Sequence, residues 1–319
     1  MESESIRANL PRQLTDFIEK NTPDMELFQL QNDLSRRKYY RVIQDSDSFV
    51  IMDSILDPEQ FSKFVLTTYF LEKQGFSVPH ISQIDFESSI ALIEDFGDNK
   101  VNNYLMGVDL ADEKEVYKKS LYLLSELGRV PLDTVEFSNH SKHDLIQGIA
   151  QFVDHCVLDM YKPQIQSEFT RIIAKLPDPY ILSLRDFHVD NIMWLNNRSG
   201  INKVGLIDYQ DLSIGYQAYD VVSILQDARR FVPPVFEKQM LEFFFDLNTH
   251  IDKEVFMQEY QILSLQRNLR IYGLFTQCTI DKGLTQYQKY LPNVRSYIER
   301  EVDNSILSAQ TKKIILHSL

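Results

Sequence analysis

The segment LRDFHVDNIMWL and the apolar run that follows it constrain the fold more strongly than any other part of the chain. Two apolar stretches, residues 192–195 and 203–207, are separated by the turn-forming connector NNRSG. Short apolar runs on either side of such a connector predict a β-hairpin. If the hairpin folds at Ser199–Gly200, the numbers of paired residues sum to about 399, and Asn191 lies opposite Asp208.

Three oxygen-bearing side chains are expected near the open end of this hairpin. Asn191 and Asp208 offer an amide and a carboxylate oxygen, which are ligands that Mg²⁺ prefers. Asp186 precedes Asn191 on the loop that enters the hairpin, and its carboxylate is free to accept a proton. A pair of metal ligands and a free carboxylate are the groups needed for phosphoryl transfer from ATP. The alternative is a solvated loop, because an Asp and an Asn at this spacing also occur by chance.

The charge and composition limit the classes of partner. The chain has 319 residues, enough for two domains of roughly 150 residues each, and its hydrophobic content of 44% is sufficient for folded cores. A formal charge of −13 repels nucleic acid and anionic membranes. We therefore expect a small-molecule substrate that is handled with a cation, and no nucleic-acid or membrane partner.

The cysteines and the apolar runs favour a cytoplasmic location. Cys156 and Cys278 are the two cysteines, and their spacing suggests neither a disulfide framework nor a zinc site. The sequence MESESIRANLPRQ lacks the apolar core of a signal peptide. No run reaches the ~18 apolar residues that a membrane span needs.

The first part of the chain predicts a small sheet with helices. Apolar spacing indicates a helix over residues 3–20, and a second helix from Pro58 to Gln74 has Gly75 at its C-terminal end. Period-two patterns predict five antiparallel strands, at residues 26–31, 37–43, 48–52, 80–86 and 89–94.

The rest of the chain reads as mainly helical. Helices are expected at residues 112–127, 142–161, 164–176, 219–231 and 235–248, and over most of the chain beyond residue 253. The prediction is an α+β protein with two domains, a sheet-rich lobe at 1–95 that binds nucleotide and a helical lobe at 96–319 that carries catalysis and acceptor binding. A ligand is expected between two such lobes.

The order of these motifs resembles the aminoglycoside phosphotransferase and choline kinase family, small-molecule relatives of protein kinases. Leu184-Arg185-Asp186, followed by Asn191, is similar to the family's catalytic motif, and Asp208 in GLIDYQD is similar to its metal-binding aspartate. The resemblance covers nearly the whole chain. It implies a protein-kinase-like two-lobe fold, ATP and Mg²⁺ as cofactors, Asp186 as catalytic base, and Asn191 and Asp208 as metal ligands.

Four longer segments, two of which include the motifs above, resemble a bacterial subgroup of this family. They are LRDFHVDNIMWL, VGLIDYQD, AYDVVSILQDARR and LQRNLRIYGLF, and the subgroup phosphorylates N-acetylmuramate and N-acetylglucosamine at C1 during cell-wall sugar recycling. Residues 32–41 resemble the nucleotide loop of that subgroup, which assigns Ser35 to nucleotide binding. An amino sugar is therefore the expected acceptor.

The chain departs from the wider family in the residues near these motifs. Leu184 and Arg185 replace the family's usual His and Gly, and the strand SFVIMD has no lysine for the nucleotide phosphates. We expect one of three nearby cations, Arg37, Lys38 or Arg41, to supply the missing charge. Glu94 is expected near the adenine, where backbone groups do most of the recognition.

The remaining candidates support the loop or bind the acceptor. His188 is expected to hold the catalytic loop by a hydrogen bond to its backbone, and Asp220 to brace the same loop. The candidates for acceptor binding are Asp211, Arg229, Arg267 and Asn268. Each has a structural alternative, which is a helix cap, a solvated helix end or a helix–helix hydrogen bond.

Two other functions remain open from the sequence. A kinase acting on an aminoglycoside, choline or homoserine would suit the acidic charge of the chain. A non-catalytic pseudokinase would suit the absent strand lysine, although the presence of Asp186, Asn191 and Asp208 argues against it.

Overall fold

A computed structural model describes residues 6–7, 10–30, 36–134 and 136–319. The contacts of the chain form two compact units. The first comprises the residues up to Asn99 together with Ile192–Asp211, and the second comprises Lys100–Asn191 and Leu212–Leu319. The sequence-based boundary after residue 95 placed residues 192–211 with the helical part, whereas their contacts join them to the sheet.

The helices and strands fall into three successive segments of the chain. Up to residue 94 they are α1 (Arg12–Asn21), β1 (Glu26–Gln29), β2 (Lys38–Gln44), β3 (Asp47–Asp53), α2 (Pro58–Lys73), β4 (Ile81–Asp85) and β5 (Ile90–Glu94). Next come α3 (Val101–Tyr104), α4 (Leu110–Leu127), α5 (Lys142–Cys156), α6 (Lys162–Ile173), β6 (Ile181–Ser183), β7 (Ile192–Trp194), β8 (Val204–Leu206) and β9 (Ser213–Gly215). The last are α7 (Gln217–Leu225), α8 (Pro234–Leu247), α9 (Lys253–Ile280), α10 (Leu291–Asn304) and α11 (Ala309–His317).

The first unit is built on one antiparallel sheet. Its strand order is β1-β2-β3-β5-β4, and the five strands agree with those expected from the period-two pattern. Asp57 caps the N-terminus of α2, and Gly75 follows its end with φ +83°. Glycine adopts this left-handed conformation at no steric cost, so the helix ends where the sequence predicted.

Side-chain alternation divides β2 into two faces. Tyr40 and Val42 are buried in a cluster with residues of α1, while Arg37 and Arg41 occupy the alternate positions. Successive residues of a strand point to opposite sides of the sheet. Arg37 and Arg41 are therefore directed to the face opposite that core, and Lys38 shares the parity of the core residues.

The β7–β8 hairpin belongs to the first unit because it packs on the segment after α2. Ser77 bridges to Gly205, and a side chain at Gly205 would come within 2.9 Å of the Phe96 ring. After the hairpin, the Tyr209 ring stacks on Phe64 of α2 at 5.6 Å. Burial of these groups within the first unit explains why residues 192–211 separate from the helical part.

The hairpin register differs from the predicted one by a single residue. Trp194 pairs with Val204, and Ile192 with Leu206. The connector contains a 3₁₀ turn at Gly200–Lys203, which the turn-forming composition alone did not specify. The ladder therefore ends before it reaches Asn191 or Asp208.

The second unit is organised around the 28-residue helix α9, which contacts α5, α7 and α10. The crossing with α5 is very close, because a Cβ at Gly273 would overlap the backbone of Gln151 and Phe152. Glycine is required where two helix backbones approach this closely. Strands β6 and β9 pair with each other. β6 precedes the predicted catalytic loop, and β9 leads into α7.

Two predicted helices end earlier in the structure. The helix expected over residues 219–231 ends at Leu225, since the backbone that follows is held by side chains distant in sequence. Asn293 donates to the carbonyl of Ala228, and Tyr297 accepts from the amide of Val232. The helix expected to reach residue 161 ends at Cys156 and is followed by a 3₁₀ turn at Asp159–Tyr161.

None of the helices in the described residues is long and apolar enough to cross a membrane.

Candidate active site

The predicted catalytic loop lies in the second unit, between β6 and β7. Its turn is closed by backbone hydrogen bonds from Asp186 to Leu184 (2.8 Å), from His188 to Asp186 (3.1 Å) and from Asn191 to His188 (2.8 Å). Phe187 and Val189 are buried, whereas Asp186 is partly exposed. The apolar residues thus anchor the loop and leave the predicted base accessible.

Arg185 is held in a left-handed conformation directly before the predicted base. Its φ is +68°, a region that residues with a Cβ rarely adopt. The Asp220 carboxylate accepts from the backbone N–H groups of Leu184 (2.7 Å) and Arg185 (2.8 Å). Asp220, predicted to brace this loop, lies at the start of α7 and is 3% exposed, and burial raises its pKa to about 7.

A second buried carboxylate, which the sequence analysis did not identify, holds the other side of the loop. Asp227 accepts from the N–H groups of Val189 and Arg229, both at 2.8 Å, and burial raises its pKa. Asp190 binds the Arg229 side chain at 3.1 Å. Asp227 lies seven residues after Asp220. Because α7 ends at Leu225, Asp227 lies beyond the helix, and no helical pattern in the sequence indicates its role.

His188 is buried in the loop, and its predicted supporting role stays a prediction. Within the described residues its buried Nδ1 has no hydrogen-bond partner, but a hydrogen bond with the residue's own backbone favours a higher pKa. Burial, with the charges of Arg229 and Arg267, lowers the pKa of His188 well below its usual value. The imidazole is therefore neutral, and the carboxylates of Asp220 and Asp227 hold the loop backbone in addition.

Asn191 is oriented in a way that suits a cation ligand. Its Nδ2 donates to the carbonyl oxygen of Asp186 at 3.0 Å. Since the amide nitrogen is used internally, the amide oxygen Oδ1 is directed away and can ligate a hard cation.

Asp208, the other predicted metal ligand, lies in the first unit with φ +58°. Its Oδ1 accepts from Arg37 Nη2 (3.0 Å) and from Gln210 Nε2 (2.9 Å), and Gln210 in turn accepts from Arg37. The side chain is 47% exposed, and neither of these bonds uses Oδ2. Each predicted ligand therefore has an oxygen suited to Mg²⁺, and their sharing of one ion stays a prediction.

The cations proposed to replace the strand lysine differ in their surroundings. Arg37 is buried, Lys38 is exposed, and Arg41 is bound by two carboxylates, at 3.1 Å to Asp95 and 2.9 Å to Asp98. Burial opposes the charge on Arg41, but these hydrogen bonds raise its pKa. Of the three, Arg37 alone contacts the predicted metal ligand.

Two further nucleotide-site residues were predicted in the first part of the chain. Ser35 lies outside the described residues. The Glu94 carboxylate binds Arg198 at 2.5 Å, and the Arg198 guanidinium lies over the Phe96 ring. The Glu94 side chain is thus engaged within the first unit, and its place near the adenine stays a prediction.

The predicted acceptor residues are distributed over both units, and their role in acceptor binding stays a prediction. Asp211 contributes, after Glu59, to raising the pKa of Lys63 in the first unit. Arg229 is bound by Asp190, as described. Asn268 is fully buried and donates to Gln226 Oε1 at 2.6 Å, so it belongs to a polar network inside the second unit. Arg267 is 2% exposed and lies close enough to Asp186 to interact electrostatically.

Comparison with known families identifies the chain. A sequence model described as the phosphotransferase enzyme family matches residues 26–252, more than two thirds of the chain. The chain belongs to the phosphotransferase enzyme family. This confirms the resemblance found from the motifs and the expected class of activity.

The similar curated proteins extend over most of the chain. A protein of Caulobacter vibrioides is 24% identical over 319 residues, covering 86% of this chain and 87% of its own. A protein of Pseudomonas putida is 24% identical over 312 residues, covering 92% and 89%. Both are named N-acetylmuramate/N-acetylglucosamine kinase.

Solved structures agree in fold. A thermostable mutant of aminoglycoside phosphotransferase APH(4)-Ia, in its apo form, has a TM-score of 0.63 at 14% identity, covering 89% of this chain and 98% of its own. The streptomycin–ATP–APH(2")-IIa ternary complex has a TM-score of 0.61 at 16% identity, covering 88% and 97%. The predicted fold class, a small antiparallel sheet unit with a larger helical unit, is confirmed.

Proposed function

We propose that this phosphotransferase transfers the γ-phosphoryl group of ATP to the anomeric hydroxyl of an N-acetylated amino sugar, N-acetylmuramate or N-acetylglucosamine. The names of the similar proteins support the acceptor, because they match over 86–92% of this chain. The loop around Asp186 supports the reaction. One ATP-bound neighbour of the same fold supports the nucleotide.

The observation that carries the proposal is the double support of the Asp186 loop. Asp220 and Asp227 hold the backbone on either side of a partly exposed carboxylate. A fixed carboxylate can accept the proton of the sugar hydroxyl as its oxygen bonds to the γ-phosphorus. The bond from that phosphorus to the bridging oxygen breaks, and ADP leaves.

Mg²⁺ is the proposed metal cofactor, and Asn191 Oδ1 and Asp208 Oδ2 are its proposed protein ligands. When bound, the ion neutralises phosphate charge on the nucleotide. Among the described residues, no group of three or more His, Cys, Asp or Glu side chains could hold a metal ion. The proposed site therefore includes the amide oxygen of Asn191. We further propose a cytoplasmic location, where ATP is available and where Cys156 and Cys278 would stay reduced, as the unpaired cysteines of the structure suggest.

The test is incubation with ATP and Mg²⁺ and a panel of acceptors, with products identified by mass spectrometry. The panel contains N-acetylmuramate, N-acetylglucosamine, an aminoglycoside, choline and homoserine. We expect sugar 1-phosphates, and we expect Asp186→Asn to lower turnover by about 10²- to 10⁴-fold. Asp178→Asn, which changes an exposed aspartate, is the matched control.

Other outcomes of this test would replace the proposal. Phosphorylation of another compound in the panel, with both sugars inert, would assign the chain to a different acceptor. Nucleotide binding without transfer to any acceptor would favour the pseudokinase. Wild-type turnover in Asp186→Asn would remove Asp186 as the base.

A further inference from the structure

Three arginines of the second unit lie next to the predicted base in the chain or interact with it electrostatically. Arg267 and Arg270 lie on α9, and Arg185 directly precedes Asp186 on the loop. The pKa of Arg270 is raised by its contact with Tyr219 and by the charge of Asp186. Burial lowers the pKa of Arg267, and Tyr219, Asp227 and Asp186 offset part of that effect. Arg267 and Arg270 therefore interact electrostatically with the base, and Arg185 adjoins it in the chain.

These arginines differ from their neighbours in lacking a dedicated counter-ion. Arg229 is bound to Asp190, and Arg230 to Glu113 at 2.8 Å. In the part of the chain that the structure describes, no carboxylate forms an ion pair with Arg185, Arg267 or Arg270. Arg267 Nη1 is also buried without a hydrogen-bond partner among these residues. A buried guanidinium N–H is costly to leave unpaired, so an anion at this place would be stabilising.

The acids that act on these arginines are already bound elsewhere. Asp144 interacts with Arg185 at a distance, but its carboxylate accepts from the Ser141 backbone and hydroxyl in the cap of α5. Asp227 interacts with Arg267, but it accepts from two loop N–H groups. Asp220 also acts on Arg267 and accepts from the N–H groups of Leu184 and Arg185, so these three carboxylates offset charge without forming an ion pair with the arginines.

The pKa values of two buried histidines are lowered by burial and by the charges of nearby arginines. Burial, followed by the charges of Arg185 and Arg270, lowers the pKa of His140 to about 3. His188 is affected in the same direction by burial, Arg229 and Arg267. Both imidazoles lie inside the second unit and remain uncharged, so the cluster carries its charge on guanidinium groups only.

The backbone and the packing hold two of these side chains in place. Arg185 has φ +68°, which glycine would adopt without strain, so the residue's contribution lies in its side chain. Gly148 of α5 lets α9 approach closely, since a Cβ there would come within 3.1 Å of Arg270 Cδ and 2.8 Å of Gln266 Nε2. Arg185 and Arg270 are partly exposed, whereas Arg267 is buried.

We propose that Arg185, Arg267 and Arg270 form an anion-binding subsite beside Asp186 that holds a carboxylate of the acceptor. This inference rests on the proposed function and narrows its substrate class to amino sugars that carry a carboxylate, such as the lactyl ether of N-acetylmuramate. Guanidinium groups bind carboxylates through paired hydrogen bonds, which fixes the orientation of the sugar as well as its affinity. A nucleotide phosphate is the other anion that could use the same chemistry, and the test separates the two.

The test compares kcat/KM for N-acetylmuramate and N-acetylglucosamine in the wild type, Arg270→Met and Arg185→Gly. We expect the ratio of the two values, acid over neutral sugar, to fall about 10- to 100-fold in each variant. Arg185→Gly removes the cation and relieves the backbone, so it should fold at least as well as the wild type. Arg12→Met, an exposed arginine of α1, is the control for loss of one positive charge.

Each other result contradicts the subsite in a recognisable way. An equal decrease for both sugars, or an increase confined to the KM for ATP, would overturn it and leave the sugar kinase proposal standing. A wild type that phosphorylates neither sugar would overturn both. A ratio that falls equally in Arg12→Met would show that general charge, and not this subsite, attracts the acid.

Discussion

Arg37 and Asp208 form an ion pair at 3.0 Å between a buried guanidinium and a carboxylate side chain that is 47% exposed. Gln210 joins both partners, so the three side chains form a closed set of hydrogen bonds in the first unit. The guanidinium neutralises the carboxylate that is proposed to bind Mg²⁺. We therefore predict that Arg37, of the three candidate cations, acts with that ligand on nucleotide phosphates.

Replacing Arg37 should impair nucleotide use more than replacing either neighbouring cation. We expect Arg37→Met to raise the KM for ATP by about 10-fold or more, because charge-assisted hydrogen bonds contribute about 1.5–3 kcal/mol. Arg37→Lys should give an intermediate value, since lysine keeps the charge but cannot bridge Asp208 and Gln210 as a fork. Steady-state kinetics at varied ATP measures both.

Lys38→Met is the matched control for this prediction. Lys38 is exposed and alternates in β2 with the core residues, on the face opposite to Arg37. Its replacement should change the KM for ATP by less than about twofold. An equal effect of the two substitutions would mean that the local positive charge matters and the pair with Asp208 does not.

Asp227 should act as a positioning residue for the catalytic loop. In Asp227→Asn the charge is lost, and only one of its two oxygens remains to accept from Val189 and Arg229. We expect kcat to fall about 10- to 100-fold through misplacement of Asp186, with the KM for ATP changed less than threefold. Asp246→Asn, at an exposed position on α8, should match the wild type. If Asp227→Asn loses folded protein in proportion to its loss of activity, and kcat per folded molecule is normal, then Asp227 contributes to stability and not to catalysis.

The sequence predicted those parts of the fold that depend on local pattern. The five strands, α2 from Pro58 with Gly75 after its end, and the β7–β8 hairpin follow from periodicity and turn residues within a few positions. The hairpin register was displaced by one residue, because the 3₁₀ turn at Gly200–Lys203 is set by packing that a composition-based turn rule does not include.

The parts that were missed depend on partners distant in sequence. The early end of α7 is held by side chains of α10, and Asp227 becomes a loop support only because Val189 folds against it. The grouping of residues 192–211 with the sheet likewise depends on the contact between Ser77 and Gly205. No local pattern encodes these contacts.

A buried carboxyl group should make stability depend on pH in a defined direction. Glu259 accepts from the amide of Ala218 (3.0 Å) and from the hydroxyl of Tyr180 (3.2 Å), and burial raises its pKa from 4.5 to about 7. Between these two values the folded state keeps a proton that the unfolded state has released. The stabilisation is complete below pH 4.5 and is lost as the pH rises to about 7.

Glu259→Gln should remove this pH dependence, because glutamine resembles the protonated acid. We expect the stability of the wild type, relative to Glu259→Gln, to decrease by about 2–3 kcal/mol between pH 5 and pH 8. Urea unfolding at the two pH values measures the difference. Glu254→Gln, at an exposed position of α9, is the control. A pH-independent difference between Glu259→Gln and the wild type would contradict the assignment.

The close crossing of α5 and α9 should tolerate no side chain at Gly273. A Cβ there would overlap backbone atoms of Gln151 and Phe152, which cannot move aside as a flexible side chain can. Overpacking of a core costs about 1–3 kcal/mol, and overlap with backbone belongs at or above that range. Gly273→Ala should therefore lower the midpoint of thermal unfolding by at least about 2 °C, on the order of 1 kcal/mol or more, whereas Gly107→Ala, with no atom closer than 4.0 Å, should leave it nearly unchanged. Because α9 carries Arg267 and Arg270, any folded Gly273→Ala protein should also show a lower preference for the acidic sugar. If its midpoint matched that of Gly107→Ala, the helices would have to lie further apart than the structure places them.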